Sequence, residues 1–456
     1  MKLVYDVNER PKFSKNLVFG FQQLLAIIAA TMLVPVLVNA ATGTELLSQA
    51  AALFGAGIGT LVYILFTKRK SPVFLGSSFA FISPLIGATA FGAFGIIIGA
   101  VVAGLVYAVI ALVIHFVGTK WVDKLLPPVV IGPTVALIGL SLCSSAISNV
   151  TTAPTGEYNL ICILVGLITF GVTVLASVKG TKGMKLIPFI IGIAAGYLAG
   201  SIFTVIGNLT DTAYLKIIDY SPIVNNFKPI EFASFIALPK FTFVEAFDEI
   251  MNGTSAVKTF ADVISIVVLF APVTFVVFAE HIADHENLSS VIGHDLIKDP
   301  GLKRTVLGDG IGSIAGALFG GCPNTTYGES VGCVAITGNA SVSTTVMTAF
   351  MAILLSFCSP FVAFVNTIPT CVIGGICIAL YGFIAVSGLK MLSKVDLGES
   401  ENLYVVSAIL VTGIGGLVLN FGSVEISSIA TALIIGIIIK LIVGKKKDAK
   451  EETIEK

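Results

Sequence analysis

Apolar residues run through this chain in blocks of about twenty, set apart by short polar joints; block length is the main signal. A helix rises about 1.5 Å per residue, so roughly 20 residues cross the hydrocarbon of a bilayer. On that ruler twelve helical spans are predicted, at residues 16–39, 46–67, 93–117, 123–146, 159–178, 185–206, 263–287, 303–320, 341–365, 369–389, 402–420 and 425–443. Two more apolar stretches, residues 73–88 and 322–337, are too short or too interrupted by Pro, Gly and hydroxyl residues for a plain helix, and are predicted as broken crossings. Together they make fourteen. Residues 207–262 form the one long polar joint and carry no motif, so the expectation is a cap or small hairpin without chemical role. The charged end of the chain is expected to be a frayed tail.

Composition narrows the class. Of 456 residues 55% are hydrophobic and only 12% charged, which excludes an ordinary soluble domain and points to an all-α polytopic membrane protein. Lys plus Arg and Asp plus Glu are both 27, so net charge draws the chain toward neither nucleic acid nor an acidic partner. Placement of the charges says more. With fourteen crossings and an inner N-terminus, 23 of the 27 basic residues fall on one side, and the other four (Lys216, Lys228, Lys240, Lys258) share the long loop. If either broken stretch failed to cross, that sorting would collapse, so the positive-inside rule places both termini in the cytoplasm of a multi-pass cell-membrane protein. The first span follows a polar segment and contains Gln22, Gln23 and Thr31, and is expected to be retained as a span. Seven cysteines without a CxxC pair read as small core residues.

A weak internal repeat accompanies the count. LPPVVIG at 126–132 returns as IPTCVIG at 368–374, and SSFAF at 77–81 aligns with TTYGE at 325–329, offsets of 242 and 248. Seven crossings per copy is odd, so the second copy must be inverted, and inverted repeats place substrate where their broken segments meet.

The chemistry concentrates there. Residues 320–338, GGCPNTTYGESVGCVAITG, bring Asn324, Thr325, Thr326, Tyr327, Glu329 and Ser330 into an apolar sequence. Such a run has to be buried in protein or line a wet cavity, and an intramembrane Glu329 is a functional candidate. A second set lies in AEHIADH, where Glu280 and Asp284, like His281 and His285, are four apart and share a helix face. Glu280 and His285 are five apart, about 140° round the helix, and suit a proton relay through solvent. The competing reading leaves His281, Asp284 and His285 solvated at the cytoplasmic end of the helix. The order E-H-x-x-D-H is not the zinc pattern H-E-x-x-H, and no nucleophile stands with a base, so neither a metal site nor an enzyme is expected. In GSSFAFISP, residues 76–84, Phe79 offers a ring that with Tyr327 could stack a flat heterocycle. Carboxylates accept from ring N–H groups and free backbone N–H groups donate to carbonyls, so these residues complement a small planar polar solute.

At GSSFAFISP, AEHIADH and NTTYGES the chain resembles the nucleobase-ascorbate transporter family, and within it the bacterial uracil permeases; ERPKF, TMLVPV at 31–36 and DPGLKR at 299–304 extend the likeness over nearly the whole length. The resemblance implies fourteen spans in two inverted seven-span repeats, with short strands in the broken third and tenth spans. It implies a core domain from residues 1–117 and 263–365, a gate domain from 118–206 and 366–444, an extracellular loop at 207–262 and a cytoplasmic tail at 445–456. It further implies a uracil:proton symporter working by alternating access, with no cofactor other than H⁺ as coupling ion. Carried over, Glu280 and Glu329 would hold the base, Phe79 and Gly328 would offer backbone N–H groups, Tyr327 would line the pocket, and Glu280 with His285 would couple the proton. Two positions depart from the family pattern: Ser330 stands where Asn is usual, and Gln23 where His is usual. A xanthine or other purine permease is the alternative; an anion exchanger of related fold is disfavoured because two acids would repel an anion. Expected partners are uracil and the lipid bilayer, with a homodimer left open and nucleic acid excluded.

Overall fold

The computed structural model describes residues 3–153, 155–421 and 424–451. The first half of the chain gives α1 (Phe13–Thr42), α2 (Gln49–Phe66), strand β1 (Leu75–Ser77), a 3-10 turn at Phe79–Phe81, α3 (Ile82–Ala88) and α4 (Gly92–Val117). Then follow α5 (Lys120–Leu125), α6 (Pro128–Ser141), α7 (Cys143–Thr151), α8 (Leu160–Lys179) and α9 (Pro188–Leu209). The long joint contributes α10 (Ser221–Asn226) and α11 (Thr242–Met251). The second half gives α12 (Phe260–Ile292), α13 (Leu302–Gly320), β2 (Asn324–Thr326), α14 (Gly328–Thr337), α15 (Val342–Ser356) and α16 (Ser359–Val365). It ends with α17 (Thr370–Leu392), α18 (Ser400–Ile414), the hairpin β3 (Leu419–Phe421) and β4 (Val424–Ile426), and α19 (Ser428–Glu451). Eight helical segments among the described residues are long and apolar enough to cross a membrane. The chain is a mostly helical, multi-pass membrane protein.

Several predicted bounds move for identifiable reasons. The span expected at 123–146 starts at Pro128, because Pro127 and Pro128 hold the preceding chain extended, and it continues as α7 to Thr151. The span expected at 341–365 is two helices, since Pro360 sits at the start of α16, where a proline starts a new helix and cannot continue the old one. The span expected at 402–420 stops at Ile414, ahead of Gly415 and Gly416. Gly416 has φ +73°, which no helix continues through. The expected frayed tail is helical as far as Glu451, in keeping with its Lys, Ala and Glu content, and residues 452–456 lie outside the described residues.

The long joint is no hairpin either. Its Asn226 accepts from Ser359 Oγ at 2.6 Å, Ala237 N donates to Phe357 O at 3.0 Å, and Glu249 on α11 accepts from Ala93 N at 2.8 Å and Phe94 N at 3.0 Å. Those last two are first-turn donors of α4 that no carbonyl can reach, so the loop caps a transmembrane helix.

The helices pack most extensively within two sets. One holds α1, α2, α4, α12, α13 and α15; the other holds α6, α7, α8, α9, α17, α18 and α19. In lipid there is no hydrophobic drive between helices, so close approach depends on small residues. Between α2 and α13 the approach is near the limit: a Cβ on Gly59 would lie 2.7 Å from Gly312 O and 2.4 Å from Asn324 Nδ2. That contact lets Asn324, the first residue of β2, donate to Gly55 O at 3.2 Å and fixes β2 against the first set.

Candidate functional site

β1 and β2 pair antiparallel, with Leu75 opposite Thr326, Gly76 opposite Thr325 and Ser77 opposite Asn324. Three-residue strands deep in an apolar protein survive only if their outer edges are also satisfied. They are: Thr60 Oγ1 receives Leu75 N at 2.9 Å, Phe74 N donates to Ser330 Oγ at 3.1 Å, and Tyr327 N donates to Phe74 O at 3.2 Å. Tyr327 locks the pair from the side by donating its hydroxyl to Ser77 O at 2.9 Å. Its ring lies so close over Gly76 that a Cβ there would fall 2.3 Å from the ring, so the register requires glycine. The chain then turns at each strand end into a half-helix, α3 through the Phe79 turn and α14 from Gly328.

Those two turns border a cavity of about 360 Å³. Phe79, Glu280, Tyr327, Gly328 and Glu329 reach it from one side, and Phe189 and Phe383 of the second set close it with Lys185 from the turn before α9. Glu280 and Glu329 are partly accessible from the cavity. The N-cap of α14, Tyr327, supplies no side-chain cap. Among the described residues neither Gly328 N–H nor Phe79 N–H has a protein acceptor. The cavity therefore presents carboxylate acceptors together with half-helix N–H donors. Phe79 also meets Tyr381 of α17 edge to face at 5.9 Å, a contact between the two helix sets at the rim of the cavity.

Of the predicted site residues the structure brings together Phe79, Glu280, Tyr327, Gly328 and Glu329, but not His285. The reading in which His281, Asp284 and His285 are solvated is also overturned, because all three are buried in mid-helix. α12 turns Glu280 and Asp284 to the cavity and both histidines to the opposite side. There the two imidazoles stack with centroids 4.1 Å apart. His285 Nδ1 donates to His281 O at 2.8 Å, and its Nε2 lies 2.7 Å from the Tyr63 hydroxyl. The sequence put Asp284 on the face of Glu280 without assigning it to the site; its Oδ2 accepts from Thr326 Oγ1 at 2.7 Å. A Cβ on Gly328 would sit 3.7 Å from Asp284 Oδ1, so this acid faces the start of α14. The signal was present in the four-residue spacing from Glu280.

A chain of apolar helices wrapped around a polar cavity bordered by two broken segments is the architecture of a membrane transporter. The chain matches the Permease family (Xan_ur_permease) over residues 14–421 and belongs to that family. It is a permease and not an enzyme. It is 39% identical over 458 residues to a uracil permease of Bacillus caldolyticus, covering 100% of this chain and 98% of the relative. It is 38% identical over 446 residues to a uracil permease of Bacillus subtilis, covering 96% and 94%, and 34% identical over 440 residues to a uracil permease of Escherichia coli, covering 96% and 93%. In fold it is similar to the transmembrane domain of a cyanobacterium bicarbonate transporter, with TM-score 0.58 and 14% identity over 96% of this chain and 100% of the other. It is also similar to the murine Solute Carrier 26 family member A9 anion transporter in the inward-facing state, with TM-score 0.62 and 11% identity over 96% and 69%.

Proposed function

We propose that the protein imports uracil together with a proton by alternating access. The observation that carries this reading is the pairing, on one cavity, of the Glu280 and Glu329 carboxylates with the unpartnered N–H groups of Phe79 and Gly328. A pyrimidine dione has two ring N–H groups and two carbonyls, the complement of that arrangement. Relatives named as uracil permeases at up to 39% identity over full length support the same substrate.

The fold neighbours named as bicarbonate and anion transporters raise anion exchange as a competitor. Here the start of α14 is already faced by Asp284 and carries Glu329, and carboxylates at the positive end of a half-helix repel an incoming anion.

Alternating access rests on the two helix sets. Residues 1–117 and 263–365 would move as a core that carries the cavity, against a gate of residues 118–206 and 366–444. The antiparallel β1–β2 pair and the antiparallel α2–α13 crossing are what two inverted seven-span copies would produce, which supports fourteen crossings with both termini in the cytoplasm. Proton coupling rests on Glu280, a carboxyl that α12 turns to the cavity. His285 would act behind the site through Tyr63, whose hydroxyl lies 2.7 Å from Ser71 Oγ beside the basic Lys68–Lys70 loop.

The test is uptake of radiolabelled uracil into proteoliposomes with and without an inward proton gradient, with unlabelled uracil, xanthine and other bases as competitors. Gradient-stimulated uptake blocked by unlabelled uracil is expected. Uptake blocked by xanthine and not by uracil would overturn the substrate, and uptake indifferent to the gradient would overturn the coupling.

A further inference from the structure

The cavity does not account for a second group of buried ionisable side chains in the first helix set. Asp309 on α13 and His281 on α12 are both fully buried, with Asp309 Oδ2 2.7 Å from His281 Nδ1. The other ring nitrogen lies 3.0 Å from Thr305 Oγ1. The Thr305 hydroxyl can give its own proton to Leu302 O, 3.1 Å away, and turn its oxygen to the imidazole. Both ring nitrogens then face acceptors, which is the arrangement that suits a doubly protonated ring beside a carboxylate.

Without that proton the pair carries a net negative charge at zero exposure; with it, the pair is neutral. A charge in such a place is expensive, so proton binding removes most of the cost of carrying the pair through the barrier. Tyr107 of α4 stands beside the pair, its ring centroid 6.4 Å from that of His281. Asp309 Oδ1, Tyr107 Oη and Thr325 Oγ1 are buried and each lacks a settled hydrogen-bond partner. The Tyr107 hydroxyl interacts with Thr325 and feels the charges of Asp309, Glu280 and Asp284. Thr325 lines the cavity as well. Ser313 Oγ, one turn along α13 from Asp309, is likewise without a partner. The titratable groups whose charges bear on the pair are Tyr63 from α2, Tyr107 from α4 and His285 from α12, with Glu280 and Asp284 acting from the cavity side of the same helix.

We propose that the Asp309–His281 pair is a proton-binding site of the moving helix set, filled from and emptied to the substrate cavity through Tyr107 and Thr325. The inference rests on the proton-coupled reading and adds the place where the proton is held. In the filling direction a proton from the cavity reaches Thr325 Oγ1, which passes its own to Tyr107 Oη, which passes its own to Asp309 Oδ1. The Asp309 carboxyl then turns by half a revolution, brings its newly protonated oxygen to His281 Nδ1 and passes that proton to the ring, whose Nε2–H faces Thr305, so the pair gains one proton and the hydroxyls end as they began. Emptying reverses the order.

The test compares two assays on the full-length protein in proteoliposomes: uracil exchange at equal pH on both sides, and uracil accumulation driven by an inward proton gradient. Asp309→Asn is expected to keep exchange within about threefold of wild type and to lose at least tenfold of the gradient-driven accumulation. Tyr107→Phe removes one oxygen at nearly constant volume and no settled hydrogen bond. It is expected to slow gradient-driven uptake at least threefold relative to exchange. Should Asp309→Asn fail to fold, Tyr107→Phe decides alone. A Tyr107→Phe protein whose ratio of driven uptake to exchange equals that of wild type overturns the proposal, as does an Asp309→Asn protein that accumulates uracil to the wild-type level. Wild type that exchanges uracil but ignores the gradient overturns the coupling reading itself, a result distinct from these.

Discussion

The side-chain amide of Gln23 on α1 donates to the hydroxyl of Ser330 on α14 at 2.9 Å, inside the protein and across 307 positions of sequence. The same amide accepts from Thr348 Oγ1 of α15 at 2.9 Å, and the same hydroxyl accepts from Phe74 N at 3.1 Å. The two residues that the resemblance singled out, Gln23 and Ser330, are thus partners. Ser330 follows Glu329 directly, so the contact ties α1, β1 and α15 to the first turn of the half-helix that carries the acid.

A mutant cycle measures this tie. Gln23→Leu and Ser330→Ala should each weaken uracil binding, because each leaves buried polar groups without a partner at about 1 to 3 kcal/mol. The double variant should lose less than the sum of the two, with a coupling of about 0.5 kcal/mol or more. Strictly additive losses in equilibrium binding would show that the pair does not act as a unit.

Glu329→Gln keeps the shape of the side chain and replaces one acceptor oxygen by a donor aimed at the ring N–H groups. Uracil affinity should fall roughly tenfold or more, the consequence of an unpaired polar contact in a dry pocket. Calorimetric or scintillation-proximity binding at wild-type affinity would remove Glu329 from the site.

Glu280→Gln fixes that position in a neutral form. Stimulation of uptake by an inward proton gradient should disappear, and the binding that remains should vary less with pH than in wild type. Accumulation at the wild-type rate would assign the coupling elsewhere.

The long loop at residues 207–262 should contribute to stability through one side chain. Glu249 occupies the first turn of α4 so closely that a Cβ on Gly92, which has φ +70°, would lie 2.6 Å from its Oε1. Glu249→Ala should cost about 1 kcal/mol, the usual value of a lost cap, with Gln retaining part of it. Thermal unfolding in detergent reports the change, and an unaltered midpoint for Ala would mean that the cap is dispensable.

Topology is checked at the Lys68–Lys70 turn, where Lys68 and Arg69 adopt φ 53° and 58° and Lys70 pairs with Asp299 at 2.7 Å. A cysteine at Arg69 should react with an impermeant thiol reagent only after the inner face of the membrane is opened. Labelling from outside intact cells would rule out the fourteen-crossing arrangement.

What the sequence determined by itself is whatever depends on a local cost. Each residue in hydrocarbon must be apolar and each backbone group must bond within its own segment, so spans such as 263–287 and 303–320 fall within a few residues of α12 and α13. The same cost marks 73–88 and 322–337 as broken and makes Glu280 and Glu329 conspicuous. Tertiary structure decided what depends on direction and on distant partners. Successive helical residues point about 100° apart, so the neighbours of α12 alone determine that Asp284 meets the cavity while His285 meets Tyr63. The closure of Gln23 on Ser330, the seat of Asp309 beside His281 and the hold of Glu249 on α4 join segments far apart in the chain, where no local preference bears on which polar group finds which.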